Sequence, residues 1–102
     1  MLPERRDADY EFGCNPCSEI VLRGSSKSGS GGGQFCNLTE VIARPKDTLE
    51  VLKDKVRLAT ILGTLQSALT DFKFLRRGWK DNCEEERLLG VSLTGIYDCP
   101  AL

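Results

Sequence analysis

The segment over residues 47–74 most limits what this 102-residue chain can fold into. Leu49, Leu52, Val56, Ala59 and Gly63 recur at helical spacing as one apolar stripe. Leu58, Ile61, Leu62, Leu65, Leu69 and Phe72 form a second. Repeats of this period belong to an amphipathic helix. Asp47 or Thr48 supplies the capping oxygen, and Glu50 places a carboxylate in the first turn, where the helix dipole favours it. The spacing therefore predicts one long helix ending at about Phe74. From Leu58 onward it is apolar over more than half its girth, the pattern of a helix packed on several sides within a larger body. Gly63 costs about 1 kcal/mol relative to alanine inside a helix, which marks a point of close packing.

Two strand candidates flank this helix. Over residues 34–43, Phe35, Asn37, Thr39 and Val41 alternate with Cys36, Leu38, Glu40 and Ile42. The run Arg44-Pro45-Lys46-Asp47 ends that strand. Residues 88–96 are apolar enough for a strand buried on both faces. Between helix and second strand, residues 75–80 bring basic charge and the helix breaker Gly78. Asn82-Cys83-Glu84-Glu85 then has the spacing of a capping box before a short helical turn. Strand, helix, strand predicts an α/β fold with a right-handed crossover between parallel strands.

The N-terminal third reads differently. Pro3 and Glu4-Arg5-Arg6-Asp7 form a charged lead-in without helical periodicity. Tyr10 and Phe12 alternate with Glu11, so a short extended piece starts there. Gly13 permits a sharp change of direction into Cys14-Asn15-Pro16-Cys17-Ser18-Glu19. Ile20-Val21-Leu22 has strong strand preference. Residues 24–33 are almost entirely glycine and serine. This is the composition of a flexible linker, as if a connector had been inserted in place of something else. No Gly-Lys-Ser/Thr follows at the spacing a phosphate-cradling loop needs.

Composition narrows the function. Fourteen basic and fifteen acidic residues leave a net charge of −1, which argues against direct nucleic-acid binding and against a polybasic membrane patch. No apolar run is long enough to span a bilayer, and the N-terminus has no signal-peptide pattern, so a cytoplasmic location is expected. Five cysteines are an odd set for a disulfide scaffold. The absence of histidine excludes Ser-His and Cys-His nucleophile pairs and Cys₂His₂ zinc sites within this chain.

The cysteine stretch admits three readings. Gly-Cys-Asn-Pro is turn chemistry, and cysteine is often a small buried hydrophobe. The Cys14-x-x-Cys17 pair suits metal binding or redox exchange. Cys17 with Glu19 two residues on suits a catalytic thiol with a carboxylate partner, since alternate side chains of an extended segment share a side. Asn15 falls on that same side, and Pro16 stiffens the backbone between them.

Four motifs in order resemble one known family. They are Asn15-Pro16-Cys17-Ser18-Glu19-Ile20, then Phe35-Cys36-Asn37-Leu38. Ala59-Thr60-Ile61-Leu62-Gly63-Thr64-Leu65-Gln66-Ser67 follows, and last comes the run from Glu85 to Gly95. Together they resemble the adenosylcobalamin-dependent (class II) ribonucleotide reductases, from Asp9 to Cys99 except for the Gly/Ser tract. The resemblance implies a fragment of a ten-stranded α/β barrel. It implies a single partial domain over residues 1–102, with a lead-in and finger loop at 1–23, a linker at 24–33 and a strand-helix-strand segment at 34–102. Cys17 would become the thiyl radical that removes the 3′ hydrogen of a ribonucleotide, Glu19 would act as general base on the 3′-hydroxyl, and Asn15 would hydrogen-bond the substrate. Cys36 would be one half of the reducing dithiol. Adenosylcobalamin would be the cofactor and a thioredoxin-like protein the reductant. The second dithiol cysteine, the C-terminal relay cysteines and the later phosphate-binding loop of that family have no counterpart here. Activity would therefore need the remaining barrel segments, from the same parent or another chain. Cys14, Cys83 and Cys99 match no essential family position. A small metal- or thiol-binding module using Cys14, Cys17 and Cys36, with Cys83 or Cys99 as a fourth ligand, is the alternative, alongside a non-catalytic assembly piece.

Overall fold

A computed structural model describes residues 11–27, 29 and 31–102. The charged lead-in, Tyr10, Ser28 and Ser30 lie outside the described residues. The chain is mixed α/β: strand β1 (Phe12–Cys14), β2 (Val21–Arg23), β3 (Leu38–Ile42), helix α1 (Leu49–Ser67), α2 (Arg77–Glu86), β4 (Gly90–Thr94) and a short 3₁₀ turn at Ile96–Asp98. These elements form two compact units. Among the described residues no helix is long and apolar enough to cross a membrane.

One unit comprises Cys36–Leu69 and Leu88–Leu102. Here β3 and β4 pair in parallel, with Leu38 opposite Gly90 and Ile42 opposite Thr94. Helix α1 packs on both strands. The Thr39 hydroxyl donates to the Ala59 carbonyl at 3.1 Å, tying strand to helix. Gly63 is the expected close-packing point: a Cβ there would stand 3.3 Å from Leu89 Cδ1. Leu52, Ala43 and Cys99 form a small core with Leu93 against it. Thr48 caps α1, its hydroxyl accepting from Val51 N at 3.3 Å.

Asp47 secures the turn into α1. Its carboxylate accepts from Lys55 Nζ and, at 2.8 Å, from Arg44 N. These bonds, Lys55 foremost, hold the Asp47 carboxyl below its ordinary value of 3.8. The folded state thus binds this proton less readily than the unfolded chain, so the stabilisation is complete above pH 3.8 and fades as pH falls through the folded value. Asp47→Asn is expected to lower the urea midpoint at neutral pH, and the gap to wild type should close on acidification below 3.8. A gap that stays constant across that range would remove the carboxylate from the account.

Helix α1 is shorter than its apolar period suggests. It ends at Ser67, and its C-cap is Ala68. Beyond it, Thr70 donates to Glu84 Oε1 at 2.7 Å and the Phe72 ring meets Phe35 at a centroid distance of 5.0 Å. Contacts made by Thr70 and Phe72 override the local helical preference. The expected strand over 34–43 begins only at Leu38, so Cys36 precedes it.

The other unit draws on Met1–Phe35 and Thr70–Arg87. Strands β1 and β2 form an antiparallel hairpin with Phe12 opposite Arg23 and Cys14 opposite Val21. Gly13 is therefore a strand residue paired with Leu22, not the pivot expected of it. Gly78 does not break a helix but sits buried in α2. Asn82 is not a cap either: it lies on the buried face of α2, while Arg76 takes the cap position without a side-chain bond. Its Oδ1 accepts from Arg23 Nε at 2.7 Å, and its Nδ2 donates to the carbonyls of Arg23 at 3.1 Å and Gly33 at 3.2 Å. The buried Arg23 guanidinium also pairs with Glu85 and lies 3.7 Å from the Glu86 carboxylate.

The Gly/Ser tract also differs from a free connector. Gly24 N donates to Glu11 O at 3.0 Å, Gly32 N to Gly24 O at 3.3 Å, and Ser25 bridges Gly31. Ser26 is buried, and Lys27 N donates to Glu85 at 2.9 Å. A Cβ on Gly32 would fall 2.5 Å from Trp79 N, and one on Gly33 would fall 2.6 Å from the Trp79 ring. Absent side chains let this backbone lie directly on α2.

Candidate functional site

The hairpin turn between β1 and β2 carries three of the four residues singled out by sequence. Asn15, Pro16, Cys17 and Ser18 fold into a turn closed by Ser18 N donating to Asn15 O at 2.9 Å. Proline is favoured at the second position of such a turn because its ring presets φ. Ser18 leaves the turn with φ 62, a left-handed conformation. Asn15 N donates to Ile20 O at 3.2 Å, closing the base of the loop.

Asn15 is the organiser of this loop. Its Oδ1 accepts from Ile20 N at 3.1 Å, and its Nδ2 donates to Glu19 Oε1 at 2.5 Å. One side chain thus fixes both the loop's return into β2 and the position of the Glu19 carboxylate. The expected substrate contact would fall to the second N–H of the same amide. Sequence spacing placed Asn15 and Glu19 on one side, but the bond between them needs the closed loop. The available signal was an amide four residues before a carboxylate across a proline turn.

Cys17 stands in the turn with its side chain exposed, as are Cys14 and Cys36. Cys36 belongs to the unit that contains β3 and α1. Cys83 is half-buried in α2, and burial pushes its thiol up; a backbone hydrogen bond involving Phe35 opposes this and Glu84 adds to it. Cys99 is buried, its Sγ 3.8 Å from the Asp47 carbonyl. Among the described residues no group of three or more Cys, Asp or Glu side chains gathers as a metal site. The arrangement can present an accessible sulfur and, two residues on, a carboxylate held by an amide, both on a loop fastened at its base. No protein-family model, curated protein or solved structure matches the chain.

Proposed function

We propose that this chain is a section of the catalytic barrel of an adenosylcobalamin-dependent ribonucleotide reductase, with Cys17 as the radical-bearing thiol. The observation that carries the reading is the hairpin turn, where an exposed Cys17 stands two residues from a Glu19 carboxylate held by Asn15. The exposed apolar side of α1 supports membership of a larger body: Leu58, Leu62 and Leu65 are 60–67% exposed. Monomeric proteins rarely leave so continuous an apolar stripe uncovered.

An exposed thiol on a fastened loop suits hydrogen-atom exchange, which fits a radical-generating cofactor. Adenosylcobalamin, when bound, would supply a carbon-centred radical as the oxidising equivalent. Cys17 would pass its S–H hydrogen atom to the carbon radical the bound cofactor would supply, and its sulfur would then take the 3′ hydrogen of a ribonucleotide. Glu19 accepts the proton of the 3′-hydroxyl, a task that needs hydrogen-bond reach and a fixed carboxylate. Asn15 holds that carboxylate in place. Cys36 is one of two thiols that supply electrons as the 2′-hydroxyl leaves, the second coming from outside this chain. A thioredoxin-like protein restores the dithiol.

The test mixes the chain with the remaining barrel segments, a ribonucleotide, adenosylcobalamin and a dithiol reductant, and measures deoxynucleotide. Cys17→Ala is expected to abolish the product. Glu19→Gln should reduce the rate by about 10²–10⁴-fold, the usual worth of a positioned general base. Undiminished product with Cys17→Ala would overturn the assignment, and so would no product from the unaltered chain.

A further inference from the structure

We propose that Cys14 and Cys17 form a dithiol exchange site that a low-molecular-weight disulfide oxidises to an intramolecular disulfide. Cys14 has no part in the reductase reading, yet it is exposed beside the turn that carries Cys17. It is the last residue of β1, held there by its pairing with Val21. Cys17 follows after two residues, inside a turn closed by the Ser18-to-Asn15 hydrogen bond. A disulfide requires Cα atoms about 4.4–6.8 Å apart. The turn folds over Pro16-Cys17, and only Asn15 and Pro16 separate the two thiols in sequence.

Exposure makes the pair selective. Cys83 is half-buried with its thiol pushed up, and Cys99 is buried. Cys36 is exposed but is nineteen positions from Cys17 in sequence. The thiolate of Cys17 attacks one sulfur of the small disulfide and expels a thiolate, leaving a mixed disulfide on Cys17. The thiolate of Cys14 then attacks the Cys17 sulfur and expels the second small thiolate. Two protein thiols are oxidised, one small disulfide is reduced to two thiols, and both protons pass to water or to the departing thiolates. The exchange needs only two accessible thiols and holds whether or not Cys17 carries a radical. If it does, the closed pair lacks the S–H bond that the radical step uses.

The test takes the fully reduced chain through mixtures of oxidised and reduced glutathione, followed by acid quenching, alkylation and mass spectrometry of tryptic peptides. The peptide between Arg6 and Arg23 contains Cys14 and Cys17 and no other cysteine. Under oxidising mixtures it is expected unalkylated and lighter by two hydrogen atoms, while Cys36, Cys83 and Cys99 remain mainly alkylated. In Cys14→Ser, whose fold is checked by circular dichroism, Cys17 should instead retain one glutathione. Separate glutathione adducts on Cys14 and Cys17 in the unaltered chain would overturn the proposal. So would pairing of either with another cysteine, or equal Cys17 adduct in wild type and Cys14→Ser.

Discussion

Asn82→Ala is expected to destabilise the unit containing β1, β2 and α2 by about 2–4 kcal/mol, because it leaves buried polar groups without partners. Asn82 is fully buried, and its amide makes three hydrogen bonds, to Arg23 Nε and to the carbonyls of Arg23 and Gly33. Arg23 is itself buried and would keep Glu85 and the nearby Glu86. The two carbonyls would lose their Asn82 donor outright. Asn82→Asp separates the contributions: a carboxylate still accepts from Arg23 but cannot donate to either carbonyl. Its cost should be at least that of alanine, because an oxygen in place of Nδ2 would face the two carbonyl oxygens at 3.1 and 3.2 Å with no proton between them. Trp79 is the only tryptophan and lies in the same helix, so urea unfolding followed by its fluorescence reads this unit. A change within about 0.5 kcal/mol, the usual range for surface positions, would mean that Asn82 is not buried as described.

The same residue shows where sequence reading stopped. Asn before Cys-Glu-Glu has cap spacing, and a polar residue on a helix ordinarily faces water or an end. Arg23 and the Gly33 carbonyl, both distant in sequence, make a buried asparagine reasonable, and no period carries that information. The end of α1 was hidden for a related reason: the apolar spacing runs on to Phe72, but Thr70 and Phe72 find partners on Glu84 and Phe35. What could be read was local. Thr48 as cap, Gly63 as a packing point and the parallel pairing of β3 with β4 all follow from short-range chemistry and from the rule linking strand–helix–strand spacing to parallel strands. At the candidate site, spacing put Asn15, Cys17 and Glu19 on one loop. The double engagement of the Asn15 amide needed the closed hairpin, and the proline that marks the turn gives no hint of which side chain fastens it.

Gly32→Ala should be costly, while Gly31→Ala should be silent. A Cβ on Gly32 would lie 2.5 Å from Trp79 N and 2.6 Å from the Gly78 carbonyl carbon, both backbone atoms of α2 that cannot swing aside. Forcing it in must lift the tract from the helix or strain it, at about 1–3 kcal/mol for ordinary overpacking. A Cβ on Gly31 meets nothing within 4 Å. Gly33→Ala falls between them, since its clash is with the Trp79 ring, which can shift, and its first sign should be a change in fluorescence. A connector without fixed contacts would respond to all three alike, because only the flexibility of the unfolded chain would change. Urea midpoints for the three variants, read by Trp79 fluorescence, thus decide whether glycine is there for freedom or for proximity. Equal midpoints would return the tract to the role of a tether, and a loss confined to Gly32 and Gly33 would make it part of the fold.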